Sequence, residues 1–176
     1  MQALGRRDFE TLTADYYEQD DPMLIEYILR NILPRRGISA RPSEVLVTMG
    51  AQNALWLAAQ VLLRPGQAVA LENPCYPAFR GMVAQTGARI VAVDVDADGL
   101  PPEALPDGVD VVFLTASHHC PTNATMPLAR RNALLQAAAE RGFIVVEDDY
   151  EFEMSFLRPV SPSLKSLDTE GRVVHA

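Results

Sequence analysis

Phe143-Ile144-Val145-Val146-Glu147-Asp148-Asp149-Tyr150 is an apolar run that breaks off into three consecutive carboxylates and a tyrosine. A strand that is apolar on both faces belongs between two layers of helix, as in a covered parallel sheet. Val111-Val112-Phe113-Leu114 has the same character, and Gly142 marks the end of the helix that leads into the first run. Working outward, the pattern predicts strands at 44–48, 69–72, 90–95, 111–115, 143–147 and 172–175. Helices are predicted near 54–62, 78–85 and 128–141. Alternation of this kind predicts an α/β fold, a three-layer sandwich around a mostly parallel sheet. Upstream, after an acidic lead at 15–21, Pro22 can open a helix whose apolar positions Ile25, Leu29 and Leu33 recur every four residues before Pro34 and Gly37. The expected organisation is an N-terminal helical segment at 1–40 and a sheet-bearing region at 41–176, with no internal repeat or low-complexity tract.

Composition narrows the function. The chain has 176 residues, 48% of them hydrophobic, enough for one sizeable core. A net charge of −8 argues against this segment gripping a phosphate backbone, which needs clustered Lys and Arg. Cys75 and Cys120 lie far apart without CxxC spacing, so neither a zinc site nor a disulfide framework is suggested, and a reducing cytoplasm fits. The first ten residues carry no apolar signal region, and no later stretch has the roughly 18 apolar residues of a membrane span.

In sheets of this class ligands bind beyond the carboxyl ends of the strands, and the residues there are polar. Gly50-Ala51-Gln52 opens a helix, where free N–H groups and the helix dipole make an anion seat that glycine lets a phosphate approach closely. Taken alone it reads first as an ordinary tight turn. Asn73-Pro74-Cys75-Tyr76-Pro77 is stiffened by its prolines and offers the Tyr76 ring as a stacking platform, or simply as a packing tyrosine. Ser117-His118-His119-Cys120-Pro121-Thr122-Asn123 is dense in hydrogen-bonding groups. Zinc is one reading of it, but adjacent histidines on extended backbone point apart and no further ligand has a familiar spacing, so contacts to a ligand from the loop, His118 among them, are preferred. Glu147-Asp148-Asp149 places carboxylates where a buried strand emerges, which calls for partners or a function. A nucleotide-triphosphate site would need GxxxxGK[ST], which does not occur. A cationic partner for the acids is therefore still required.

Taken together, Gly50-Ala51-Gln52-Asn53, Asn73 to Pro77, Ser117 to Asn123 and Glu147 to Tyr150 resemble, in order and spacing, the aminotransferase-like domain of MocR-type transcriptional regulators of the GntR family. The resemblance covers nearly the whole chain. It implies the N-terminal part of the large domain of a fold-type-I transferase dependent on pyridoxal 5'-phosphate (PLP). By that resemblance Gly50, Ala51 and Gln52 seat the cofactor phosphate, Tyr76 stacks on the pyridine ring, Asp148 pairs with the pyridinium nitrogen and Tyr150 contacts the phenolic oxygen. Asp149 then points away and is structural. The 117–123 segment resembles the family's Ser-His-Gln-x-Pro-Thr-Gly loop. Asn123 stands where glycine is usual, tolerable because asparagine also visits left-handed backbone. Cys120 replaces the asparagine of ordinary aminotransferases, which favours the regulator type.

The resemblance also places the Schiff-base lysine shortly beyond Ala176. Lys165, the one lysine present, lies in a surface-like connection and reads as solvated, so no catalytic residue is assigned within the chain. The expected function is that of a homodimeric cytoplasmic regulator's PLP domain, sensing an amine or amino acid through a PLP aldimine, with DNA bound only through a winged-helix domain outside this sequence. The alternative is part of a free-standing class I/II aminotransferase moving an amino group from an amino acid to a 2-oxo acid. A third reading is an acidic-pocket protein using Asp148, Asp149 and His118 on a divalent ion.

Overall fold

The computed structural model of the chain describes Phe9, residues 19–150 and residues 161–176. The opening stretch apart from Phe9, and residues 15–18 of the acidic lead, lie outside the described residues. Five strands, β1 (Ala68–Asn73), β2 (Arg89–Asp94), β3 (Val111–Leu114), β4 (Ile144–Glu147) and β5 (Val173–His175), form one sheet in the order β2-β1-β3-β4-β5. Every neighbouring pair is parallel, with Leu71 opposite Phe113 and Val146 opposite Val174. β1, β3 and β4 are buried almost throughout, as strands covered on both sides must be.

Period-two alternation sorts the strand side chains into two cores. Val69, Leu71, Val111, Phe113 and Val146 meet Leu55 and Ala59 of α2 (Ala51–Leu62) and Phe79 and Val83 of α3 (Pro77–Ala84). Ala70, Val112, Leu114, Val145 and Val173 meet Leu134 and Ala138 of α4 (Leu128–Arg141). Helices on both faces make the three layers that the alternation predicts, and each fully buried Val, Leu or Phe stabilises by about 1.5–3 kcal/mol. The helices end where the sequence says they should. Pro77 occupies the first position of α3, and Gly142 closes α4 at φ 80 with its N–H on Ala138 O.

The chain divides into two compact units, one of residues up to Arg35 together with Ser39–Val47, the other of Arg36–Ile38 together with Thr48–Ala176. In the first, Pro22 opens a short helix over Pro22–Tyr27, and the Asp21 carboxylate accepts the Met23 N–H at 2.8 Å. The chain then widens into a π turn over Ile28–Ile32 and tightens over Leu33–Arg36. Ile25 is buried and Leu29 and Leu33 half-buried, so the four-residue spacing did mark the covered face.

Two expectations are corrected. The strand predicted at 44–48 is absent. Pro42–Glu44 forms a tight turn, and Val45 has extended backbone (φ −114, ψ 129), but no strand pairs with it among the described residues, so Leu46 is 69% exposed. A short run of apolar, largely β-branched side chains favours an extended segment but cannot supply its partner. The stretch before β5 is also no surface connection. Leu164–Leu167 is a helical turn, α5, capped by Ser163, and Ser163 and Leu164 are fully buried. Lys165 is partly covered, with Nζ 3.3 Å from Asp168.

Candidate functional site at the strand ends

Three loops leave the carboxyl ends of β1, β3 and β4 side by side, because those strands are neighbours in one parallel sheet. The first carries Glu72 to Tyr76, the second Thr115 to Asn123, the third Glu147 to Tyr150. The N-terminus of α2 adds a fourth element through Gln52, whose side-chain amide donates a hydrogen bond to the Tyr76 hydroxyl.

Gly50 precedes α2 with φ 85 and ψ 171, backbone that only glycine adopts readily, and a Cβ there would meet nothing within 4 Å. Asn53 and Ala54 turn their N–H groups onto Gly50 O, while those of Ala51 and Gln52 take no acceptor among the described residues. Tyr76 is half-buried, and its ring meets that of Phe79 edge to face at 5.7 Å and 85°. Tyr150 donates to His118 O at 3.2 Å, and their rings meet edge to face at 6.4 Å. Asn123 has φ 61, the left-handed conformation expected of it, and its N–H bonds His119 O at 2.7 Å. The sheet thus brings Gln52 beside Tyr76 and His118 beside Tyr150.

Four acids cluster at these strand ends, and they are not equivalent. Glu72 lies 3.3 Å from His119 Nε2 and accepts the Thr115 N–H at 2.9 Å. Burial lifts Glu72 above the usual carboxylate range despite His119. Burial works against charge on His119 too, but the Glu72 carboxylate outweighs it and raises the ring. Glu147 is fully buried, 3.7 Å from Arg131 and 3.1 Å from His175 Nδ1, and accepts the Leu164 N–H at 2.8 Å. Against the opposing effect of burial, these contacts hold it below its usual range. Asp149 is ion-paired with buried Arg36, as the structural role expected of it requires.

Asp148 is different. It is 6% exposed, forms no ion pair among the described residues, and its buried Oδ1 has no hydrogen-bond partner. Burial, reinforced by the charges of Asp149 and Glu72, pushes it up to about 6. A buried carboxylate without a counter-charge is costly to keep. No three His, Cys, Asp or Glu side chains among the described residues converge as metal ligands.

Sequence reasoning named Gly50, Ala51, Gln52, Tyr76, His118, Asp148 and Tyr150, and passed over Glu72, His119, Arg36 and Arg131. Arg131 lies fully buried in α4 and donates to the carbonyls of Met126, Pro162 and Ala116, pinning the return of the β3 loop. The available signal was charge on an apolar pattern: Arg131 occupies a core-facing helical position, and Glu72 ends an apolar strand.

Solved PLP-dependent aminotransferases of fold type I share this parallel sheet covered on both faces. The model of aminotransferase class I and II matches residues 4–151, and the chain belongs to that family. Over 175 residues, 99% of the chain and 36% of the relative, it is 65% identical to the HTH-type transcriptional regulator TauR of Rhodobacter capsulatus. It is 32% identical to the probable rhizopine catabolism regulatory protein MocR of Rhizobium meliloti over 174 residues, 97% of the chain and 35% of that protein. Kynurenine aminotransferase of Pyrococcus horikoshii, solved with PMP, superposes with a TM-score of 0.76 at 31% identity, over 86% of this chain and 39% of that one. The chain spans about a third of the length of the curated relatives named here. PLP is the cofactor of the fold.

Proposed function

We propose that this chain is the PLP-binding, aminotransferase-like domain of a MocR-type transcriptional regulator that senses an amine or amino acid. The observation that carries the reading is Asp148: a buried carboxylate with no ion pair among the described residues, beside three acids that each lie within 4 Å of an arginine or histidine. The protonated pyridine nitrogen of PLP is a cation of the right kind, and a carboxylate against it keeps it protonated. The anion seat at Ala51 and Gln52, open beside Gly50, suits the phosphate. Tyr76 provides a ring face for stacking, and His118 and Tyr150 line the other loops. When bound, PLP supplies an aldehyde that condenses with amines and a ring that draws electrons from them.

The resemblance to two regulators supports a DNA-binding role for the whole protein, as a cytoplasmic homodimer. Among the described residues no helix is long and apolar enough to cross a membrane. The likeness to kynurenine aminotransferase supports the second reading, a free-standing aminotransferase.

The test is a PLP titration of the intact protein followed by absorbance, with Asp148→Asn beside it. Saturable binding that weakens at least tenfold in the variant supports the reading; binding indifferent to Asp148 sinks it. Steady amino transfer to a 2-oxo acid would favour the enzyme over the regulator.

A further inference from the structure

Gln52 is the second residue of α2, and it does two things at once. Its main-chain N–H belongs to the open mouth of the helix, while its side-chain amide reaches a residue 24 positions away and donates to the Tyr76 hydroxyl. The Tyr76 ring also meets Phe79 edge to face, and Phe79 is 2% exposed and packs in turn on Phe113 at 6.1 Å. Tyr76 immediately precedes α3 (φ −54, ψ 121), and its ring packs partly against the core beneath that helix. The Gln52 bond is the contact that holds its hydroxyl end.

We propose that Gln52 is a positioning residue for the cofactor ring: its side chain acts through the Tyr76 hydroxyl to present the phenol face to the pyridine, and so fixes the ring platform relative to the phosphate seat. This rests on the cofactor reading above and goes beyond it. Gln52 would otherwise count only as a phosphate contact, for which its main-chain N–H suffices.

The two roles separate by probe. A residue that acts on phosphate alone affects every phosphate ligand equally, whereas one that acts through Tyr76 affects only ligands with a ring to stack. Losing one neutral hydrogen bond at a partly exposed site corresponds to an affinity change of about 3- to 10-fold. Both partners can be trimmed without disturbing the core, since Gln52 is exposed, alanine is a better helix former than glutamine, and Tyr76→Phe keeps the ring.

The experiment measures binding of PLP and, by competition, of inorganic phosphate to the intact protein and to Gln52→Ala, Tyr76→Phe and the double variant. The expected result is that each single variant weakens PLP about 3- to 10-fold, that the double is no weaker than the worse single, and that phosphate affinity is unchanged throughout. Losses that multiply in the double variant, or a Gln52→Ala loss shared equally by inorganic phosphate, overturn the pairing while leaving the cofactor reading intact. Failure of the unsubstituted protein to bind PLP overturns the cofactor reading and the pairing's role with it.

Discussion

His119 Nε2 lies 3.3 Å from Glu72 Oε2 with both side chains out of solvent, and this contact ties the end of β1 to the loop that follows β3. The same ring places Nδ1 2.7 Å from Thr122 Oγ1, within its own loop. Removing one partner of a buried charged pair strands the other and costs about 3–5 kcal/mol. His119→Leu should lose stability on that scale in urea unfolding. His119→Gln, which keeps a donor for Glu72, should lose less than half as much. Equal losses would mean that packing rather than the Glu72 contact holds the loop.

Asp148 makes the opposite prediction. Its folded pKa is raised from 3.8 to about 6, so between those values the folded state binds more protons than the unfolded chain, and stability falls as pH rises across that window. The shift corresponds to about 3 kcal/mol. Asp148→Asn, which cannot ionise, should therefore stabilise the cofactor-free protein by up to about 3 kcal/mol at pH 7–8 and hardly at all below pH 4. Unfolding free energies at the two ends of that range check it. A variant more stable yet poorer at binding PLP is the signature of a residue kept for its ligand.

Arg36 and Asp149 form a buried ion pair. Arg36→Met leaves the carboxylate with only the His175 ring, 3.9 Å away, and should destabilise by about 3–5 kcal/mol at pH 7, whereas Arg36→Met with Asp149→Leu should recover most of that loss. Chemical denaturation of the four proteins in the cycle is the measurement. A double variant as weak as the single would show that the charge pair is not the origin of the loss.

Arg131 bonds three carbonyls from full burial. Arg131→Met keeps volume but orphans those acceptors, and should destabilise by about 2–4 kcal/mol with faster amide exchange at 116–126 than elsewhere. Uniform exchange across the sheet would argue that its effect is global rather than on the loop.

How far the sequence went depends on whether a feature is local. Phe143 to Val146 could be placed because a strand covered on both faces is written into its own residues, and Asn123 because its left-handed backbone follows from its own chemistry. Residues 44–48 misled because a short apolar, β-branched run describes an extended chain, while strand identity needs a partner that is not among the described residues. The acids at 147–149 were legible as a group but not singly. Which of them is bare depends on Arg36, Arg131 and His175, scattered along the chain and assembled only by the fold. His118 drew notice as a polar loop residue, yet its neighbour His119 is the one turned into the protein, a difference of one step along the backbone that composition cannot register.

The open helix mouth at Gly50, tied to the β1 loop through Gln52 and Tyr76, and the carboxylate of Asp148 after β4 stand on separate elements at the carboxyl end of the sheet, the first attracting anions and the second repelling them. That end of the sheet therefore has a direction before anything binds. A molecule carrying its negative charge at one end and its positive charge at the other is accepted one way round and refused the other, so the orientation of a guest is decided at entry, ahead of any close fit.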